Sequence, residues 1–270
     1  MPRVTAPKRR PTRRTRPPAA WLPREHGAWS WLVSPVVAGV IIAGPHLHQL
    51  FLLGLALSGY FVFNAASWWA RMPAQRRGGI VRPMLTYAGV AGLFTIGLLL
   101  SAGWGALGWL VVLIAPIGVA YLLTLRGSGR SLASGLATAV ASSALLLVAV
   151  QPNLLALLRD PRPEWLGAAA IMYGSTVGTL FAVKSMIRQK GSNRFLAVSV
   201  AWHVGWLLTT AVGVLHGLPA AWPLYFLVTT GRATALPLVA RRHALRPMTI
   251  GLVELGLTVV LLALYAWPGI

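Results

Sequence analysis

Apolar residues along this chain form long runs that are separated by short polar segments. A membrane-spanning helix needs about 20 predominantly apolar residues. Runs of that length are predicted near residues 27–44, 49–70, 84–102, 106–125, 131–150, 164–183, 195–215, 220–240 and 248–267. A short surface helix is predicted at 153–158, and the glycines at 103, 105 and 108 leave only a tight turn between spans three and four. The pattern predicts an all-α protein, a polytopic transmembrane helical bundle of about nine spans.

Composition supports a membrane location. Apolar residues make up 56% of the 270 residues and charged residues only 10%, whereas a soluble domain carries about 25% charge. The surplus apolar surface is therefore expected to face lipid. Cysteine is absent, which excludes disulfides, thiol catalysis and cysteine-ligated metals.

Basic residues predict the orientation of the spans. Residues 1–20 read as a disordered basic cytoplasmic tail, and residues 21–270 as the transmembrane helical domain. With the tail inside, 21 of the 24 Lys and Arg residues fall in inner segments, and only Arg159 and Arg162 fall outside. This asymmetry predicts an N-terminus inside and a C-terminus outside. The formal charge of +20 does not indicate a nucleic-acid partner, because the cations lie in the tail and in short loops rather than on one soluble face. Membrane lipid is the expected partner.

Only four acidic residues occur, and one of them lies several residues inside a predicted span. Glu254 lies about 9 Å below the inner surface, and an ionisable residue at such depth marks a candidate functional site. Arg232 lies at similar depth in the preceding span, and only the short 241–246 turn joins the two helices. We therefore predict an Arg232–Glu254 ion pair, which either contributes to a ligand site or only pins two helices together.

Two basic stretches with no acid follow the second and sixth spans. Lys184 and Arg188 are four residues apart on one helix face, where two cations suit a phosphate or carboxylate. The alternative is that both are ordinary inner-face cations at a helix end. Asn64, Arg71 and Arg82 mark the other stretch, although a membrane asparagine often only bonds a neighbouring helix. We expect both stretches to lie on one face and to form the mouth of one polar site.

The opening of the first span adds two further candidate ligand-binding residues, Glu25 and His26. Glu25 near a helix start is electrostatically favourable, and His26 could titrate near neutral pH. The alternative for His26 is a hydrogen-bonding interfacial anchor. No zinc-protease, nucleophile-elbow or phosphate-loop motif occurs, so any catalytic residues stay unknown, and the sequence predicts no metal site and no cofactor.

Three motifs resemble those of the YwiC-like family of bacterial membrane proteins. They are the opening Pro23-Arg-Glu-His-Gly-Ala-Trp29, the loop Lys184-Ser-Met-Ile-Arg188, and the entry to the last span, Arg246-Pro-x-x-Ile-Gly-x-x-Glu254. The resemblance runs from residue 22 to about residue 262. It implies a multi-pass protein of the bacterial cytoplasmic membrane, and it implies no particular reaction.

A more distant likeness concerns the UbiA-type prenyltransferases. Nine helices, an inner N-terminus and polar motifs after helices two and six resemble the plan of that family, which holds magnesium with aspartates. The first motif would begin at Asn64, but its acidic positions fall on Ala65, Trp68 and Met72. The second loop contains no acid. Because magnesium is held by carboxylates and phosphate oxygens, the resemblance implies a UbiA-like arrangement without the magnesium site.

Three functions are compatible with the sequence. The first is a UbiA-like scaffold that binds an anionic lipid or isoprenoid-like ligand at a basic cytoplasmic-side cavity. The second is a small-solute transporter with Asn64, Arg232 and Glu254 near its path. The third is a non-catalytic membrane assembly subunit. Whether any reaction is catalysed is not predicted.

Overall fold

The computed structural model describes residues 20–23, 28–243 and 245–267, and every regular element in these ranges is helical. Ten α-helices follow one another along the chain. They are α1 (Ala28–Ala43), α2 (Leu47–Arg71), α3 (Gly78–Ala102), α4 (Gly108–Leu125), α5 (Leu132–Val150), α6 (Leu154–Arg159), α7 (Pro163–Ile187), α8 (Asn193–Val214), α9 (Ala221–Arg242) and α10 (Pro247–Tyr265). Short 3₁₀ turns precede α3 (Ala74–Arg76) and α4 (Trp104–Leu107). The prediction of an all-α protein is confirmed for these ranges.

The long helices coincide with the nine predicted apolar runs. Seven of them are long and apolar enough to cross a membrane, as in a multi-pass membrane protein. The two others are α1, which has only 16 residues, and α9, whose interior carries Arg232. The short α6 confirms the surface helix predicted at 153–158. The tight turn after α3 is made by Gly103, whose φ of +80° lies in the left-handed region that glycine favours.

Large apolar side chains cover the outside of α3 and α4. Leu100 is 83% exposed and Val111 is 76% exposed. A soluble protein rarely leaves so continuous an apolar surface in water. These faces are therefore suited to contact with lipid, as the composition predicts.

Polar side chains cap the N-termini of three helices. Ser131, Asn153 and Ser192 each accept a hydrogen bond from a backbone N–H in the first turn of α5, α6 and α8. These side-chain oxygens satisfy donors that a helix start leaves without an intrahelical partner. The loops before α5 and α8, which carry many of the basic residues, are thereby held in place.

Glycines allow α2 and α3 to lie against each other. A Cβ on Gly54 would lie 2.2 Å from the ring of Phe94, and a Cβ on Gly97 would lie 2.4 Å from the ring of Phe51. On each of the two helices, a glycine is therefore covered by a phenylalanine ring of the other helix. Small residues let membrane helices approach closely in this way.

Glycines also allow α7 and α8 to pack closely against each other. A Cβ on Gly174 would lie 2.4 Å from the indole of Trp206, and a Cβ on Gly178 would lie 2.8 Å from Nε2 of His203. The two glycines are four residues apart and therefore share one face of α7. They bring the middle of α8, with its histidine, against α7.

The shortest long helix, α1, packs against α5 and α10. Gly39 on α1 faces Ala149 on α5, whose Cβ would lie 2.3 Å from a Cβ added at the glycine. On its other side, α1 lies beside α10, which also contacts α7 and α9. The helices α1, α7, α9 and α10 therefore surround a common interior region.

We expect Gly97→Ala to lower the thermal stability of the purified protein. The added methyl group collides with one edge of the Phe51 ring, and such overpacking costs about 1–3 kcal/mol. The measurement is the loss of monodisperse protein after heating in detergent. Gly92→Ala on the same helix is the matched control, because a Cβ there meets nothing within 4 Å. Equal behaviour of the two variants would contradict the packing described here.

Candidate functional site

A buried ion pair joins α9 to α10. Nη1 of Arg232 lies 2.5 Å from Oε1 of Glu254, and the two side chains are only 7% and 10% exposed. The predicted Arg232–Glu254 pair is therefore confirmed. Its bond is charge-assisted and little screened by solvent, because both partners are removed from water.

Two more helices contribute to this cluster. Thr179 of α7 donates its hydroxyl proton to Oε2 of Glu254 at 2.8 Å. Nη2 of Arg232 lies 3.4 Å from Nε2 of His203 on α8, whose Nδ1 lies 2.7 Å from the carbonyl oxygen of Ser199. A ring with its proton on Nδ1 would donate to that carbonyl and accept from the guanidinium at Nε2. Four helices thus meet at one charged centre.

The cluster lies deep along each helix. Glu254 is seven residues from the start of α10, and Arg232 is ten residues from the end of α9. At about 1.5 Å per residue, these positions are about 10 Å and 15 Å from the helix ends. An ion pair at that depth is costly to desolvate, and residues of this kind are usually functional or bonded to each other.

Arg232 does not use all of its donors. Its Nε is buried and has no hydrogen-bond partner in the described part of the chain. A buried donor without a partner costs free energy. The guanidinium therefore has one N–H donor inside the helix bundle that is available for a further hydrogen bond.

A small cavity, here called the polar cavity, adjoins Glu254 between α1, α7, α9 and α10. Its walls combine hydroxyl groups, one carboxylate and four apolar side chains. They are formed by Ser30, Trp31, Ser34, Met172, Ser175, Thr176, Thr179, Tyr225, Glu254, Leu257, Thr258 and Leu261. The volume open to the centre of a water molecule is about 30 Å³. One water needs about 10–15 Å³ by this measure, so the polar cavity has room for about two.

Lys184 and Arg188 come together elsewhere, at the end of α7. Nζ of Lys184 lies 2.6 Å and Nη1 of Arg188 lies 2.9 Å from the carbonyl oxygen of Arg130. Both cations therefore share one oxygen acceptor, which belongs to the turn between α4 and α5. Lys184, Arg188 and the exposed Arg130 whose carbonyl they bind are here called the cationic cluster.

A groove lies next to the cationic cluster along the chain. It is open to the surface, and its volume is about 270 Å³. Its walls are formed by Leu132, Gln189, Ser192, Arg194, Phe195 and Val198. Two of these residues adjoin the cluster in sequence, because Leu132 follows Arg130 by two positions and Gln189 follows Arg188. We call this feature the basic groove.

The second predicted stretch lies in another part of the molecule. Nδ2 of Asn64 lies 3.5 Å from the carbonyl oxygen of Ala20, so this asparagine contacts the segment before α1. Arg71 donates from Nε to the carbonyl oxygen of Ser67 at 2.9 Å, and it is exposed, as is Arg82. None of these three residues lines the polar cavity or the basic groove.

The structure thus distributes the predicted residues over three places. It pairs Arg232 with Glu254, it groups Lys184 with Arg188, and it leaves the stretch from Asn64 to Arg82 with α2 and α3. The single shared mouth expected from the sequence is not formed by the two cavities described here. Glu25 and His26 lie outside the described residues, and their binding role stays a prediction. Within the described ranges, no three histidine or acidic side chains group as metal ligands.

Sequence reasoning missed the partners of the ion pair. His203 carried no distinguishing motif, although a histidine in the middle of an apolar run was a usable signal. Thr179 and Tyr225 carried no such signal, because hydroxyl residues are common in membrane helices and often bond their own backbone. Only the packing of α7, α8 and α9 shows which of these side chains reach Glu254 and the polar cavity.

We expect the single variants Glu254→Gln and Arg232→Met to lower the thermal stability of the purified protein strongly. Each leaves one buried charge unpaired, which typically costs about 3–5 kcal/mol. The double variant Arg232→Met/Glu254→Leu is expected to be more stable than either single variant. The measurement is thermal unfolding in detergent, compared as a double-mutant cycle.

The control is Glu164→Gln, which breaks a half-exposed pair with Arg162 at 3.9 Å. Such a surface pair contributes only about 0–1 kcal/mol, so little change is expected. Additive losses in the double variant would show that Arg232 and Glu254 are not coupled.

Comparison with known proteins gives one match. Residues 22–150 match the model of the YwiC-like protein family. No curated protein and no solved structure matches the chain. The matched region contains α1 to α5 and the first of the three motifs, whereas the ion pair, Lys184 and Arg188 lie beyond it. The predicted resemblance to this family is thereby confirmed over residues 22–150.

Proposed function

We propose that this protein is a nine-span protein of the bacterial cytoplasmic membrane that binds an anionic lipid or isoprenoid-like ligand at the basic groove. The observation that carries the proposal is a groove lined by three polar and three apolar residues, next in sequence to the cationic cluster. An amphiphile with an anionic head and a hydrocarbon chain also combines a polar and an apolar part.

Charge supports the orientation. If α1 to α5 and α7 to α10 all cross the membrane, the cationic cluster, Arg194 and the tail share the cytoplasmic face. The opposite face then holds Arg159 and Arg162, beside Asp160 and Glu164. This distribution obeys the positive-inside rule. The less apolar α9 is accommodated because its Arg232 is neutralised by Glu254 rather than exposed to lipid.

The polar wall of the groove suits an anionic head group. Arg194, Gln189 and Ser192 are the polar residues of its lining, and no acid occurs between Glu164 and Glu254. Lys184 and Arg188 each spend one donor on the Arg130 carbonyl, whereas an ammonium has three donors and a guanidinium five. The remaining donors are suited to a phosphate or carboxylate, with arginine able to bind in a bidentate manner.

The apolar wall suits a hydrocarbon chain. Leu132, Phe195 and Val198 line it, and Val198 is 46% exposed. Because Phe195 and Val198 are three residues apart on α8, they lie on one face of that helix. That face runs from the loop into the predicted membrane interior, which is the direction a lipid tail takes.

The proposal keeps the UbiA-like plan without its magnesium site. Nine long helices and two acid-free basic loops, after α2 and after α7, support this comparison. A ligand in the basic groove would be held by ammonium and guanidinium groups directly. The roles of Asn64, Arg71 and Arg82 in ligand binding are part of the proposal only as a second contact region.

A small-solute transporter is the second candidate. The observation that favours it is the Arg232–Glu254 pair, which lies about 10–15 Å from the helix ends beside the polar cavity. Charged residues at that depth often mark a transport pathway. In this reading the basic groove is a lipid contact of the transporter rather than its main site.

We expect cysteine labelling to confirm the nine-span topology. The chain contains no cysteine, so any labelling of a single-cysteine variant comes from the introduced residue. Pro161→Cys and His216→Cys should react with a membrane-impermeant maleimide in intact cells. Ser128→Cys and His243→Cys should react only after the membrane is opened. All four positions are exposed.

His216 and His243 lie on either side of α9 in the chain. Labelling at these two positions therefore tests whether α9, the least apolar long helix, crosses the membrane. Labelling of both positions from the same side would show that α9 does not cross the membrane. A permeant maleimide on the same four variants is the control for intrinsic reactivity. It should label all of them.

We expect native mass spectrometry of the purified protein to show a bound anionic amphiphile that is lost in Lys184→Ala/Arg188→Ala and in Val198→Trp. The first variant removes cations, whereas the second fills the apolar wall without changing charge. Loss in both would show that head and chain are recognised together. Arg194→Ala is expected to weaken retention as well.

The matched control is Arg76→Ala, which removes an exposed cation from the 3₁₀ turn before α3. Retention should be unchanged in this variant, because the turn does not line the groove. Identical spectra for wild type and the groove variants would contradict lipid binding at this site. An equal loss in Arg76→Ala would show attraction to the basic face as a whole.

A further inference from the structure

We propose that the polar cavity is a binding site for one monovalent cation, with Na⁺ as the expected occupant. This site is separate from the basic groove, and it does not depend on lipid binding there. It lies between α1, α7, α9 and α10, and among the residues that the structure describes Glu254 is the one charged residue in its lining. Three observations lead to this assignment.

The first observation is the direction of the hydroxyl protons. Ser34 donates to the carbonyl of Ser30 at 2.6 Å, and Thr176 donates to the carbonyl of Met172 at 2.8 Å. Thr258 donates to the backbone carbonyl of Glu254 at 2.9 Å. With their protons engaged in these bonds, the hydroxyl oxygens have only lone pairs left for an occupant.

Most of the hydroxyl protons beside the carboxylate are engaged as well. Thr179 gives its proton to Oε2 of Glu254. Ser175 and Tyr225 lie 2.7 Å apart, so one of these two hydroxyls donates to the other. The cavity therefore offers mostly acceptor oxygens, and its preferred occupant is a cation or a hydrogen-bond donor rather than an anion.

The second observation concerns charge. Hard cations prefer oxygen ligands, and divalent ones are usually held by more than one carboxylate or by phosphate. One carboxylate lines this cavity, and its charge is already shared with Arg232, which is not a lining residue. A divalent ion would leave a large uncompensated charge in a low-dielectric interior. The Arg232–Glu254 pair is neutral, so any cation adds net charge to the interior, and a monovalent cation adds the least.

The third observation is size. The volume of about 30 Å³ corresponds to about two water molecules. Sugars, amino acids and nucleotides are too large for it in this conformation. A small monovalent cation with one water molecule matches both the volume and the chemistry of the walls.

The experiment measures the stability of the purified full-length protein in detergent at constant ionic strength. NaCl is titrated against choline chloride, and the apparent melting temperature is followed. A ligand that binds only the folded protein raises this temperature in a saturable manner. We expect such a rise with Na⁺, and we expect Thr176→Val to increase the half-saturating Na⁺ concentration about tenfold by removing one ligand oxygen.

Thr210→Val is the matched control. Thr210 is buried like Thr176 and also donates to the carbonyl four residues earlier at 2.8 Å, but it does not line the polar cavity. Its half-saturating concentration should equal that of wild type. Binding of radioactive ²²Na⁺ to the wild-type protein, displaced by unlabelled Na⁺, provides a second readout that requires no variant.

Two results would overturn the proposal. One is a melting temperature that rises equally with NaCl and choline chloride, together with no displaceable ²²Na⁺. The other is an equal change of Na⁺ dependence in the Thr176 and Thr210 variants. Neither result bears on lipid retention at the basic groove, so the two sites are tested separately.

Discussion

The buried pair of Arg232 and Glu254 is the interaction on which the interior of this protein depends. Its two charges lie about 10–15 Å from the helix ends, and neither is stable alone at that depth. Because each needs the other, α9 and α10 must pack in the one register that brings them within 2.5 Å. Thr179 and His203 extend this constraint to α7 and α8.

Close helix approach makes that register possible. Gly174 and Gly178 let α8 lie on α7, and Gly178 leaves the space that the His203 ring occupies. Larger residues at these positions would push the histidine away from the guanidinium. The same principle, applied through Gly54 and Gly97, joins α2 to α3 in the other half of the chain. In a lipid environment, where apolar burial adds little to association, such packing and interior polar bonds hold the helices together.

The polar groups divide into two sites of different character. At the cytoplasmic end of the proposed topology, cations outnumber acids and stand beside an apolar wall, which suits an anionic amphiphile. In the interior, hydroxyl oxygens and one neutralised carboxylate surround a space for about two water molecules, which suits a small cation. Thr179 is only five residues from Lys184 on α7, so this single helix contributes to both sites.

The sequence by itself determined the helical class and the position of nearly every helix. Long apolar runs leave a chain few choices in a membrane, since every backbone polar group must be bonded within a helix. It also determined the Arg232–Glu254 pair, because these two opposite charges lie at similar depth on two helices that are joined by a short turn. The tertiary structure alone decided that Lys184 and Arg188 meet on the carbonyl of Arg130, and that Asn64 lies apart from them. It also decided which hydroxyls line the polar cavity, since these contacts join helices distant in sequence and depend on how side chains of similar polarity are rotated within the bundle.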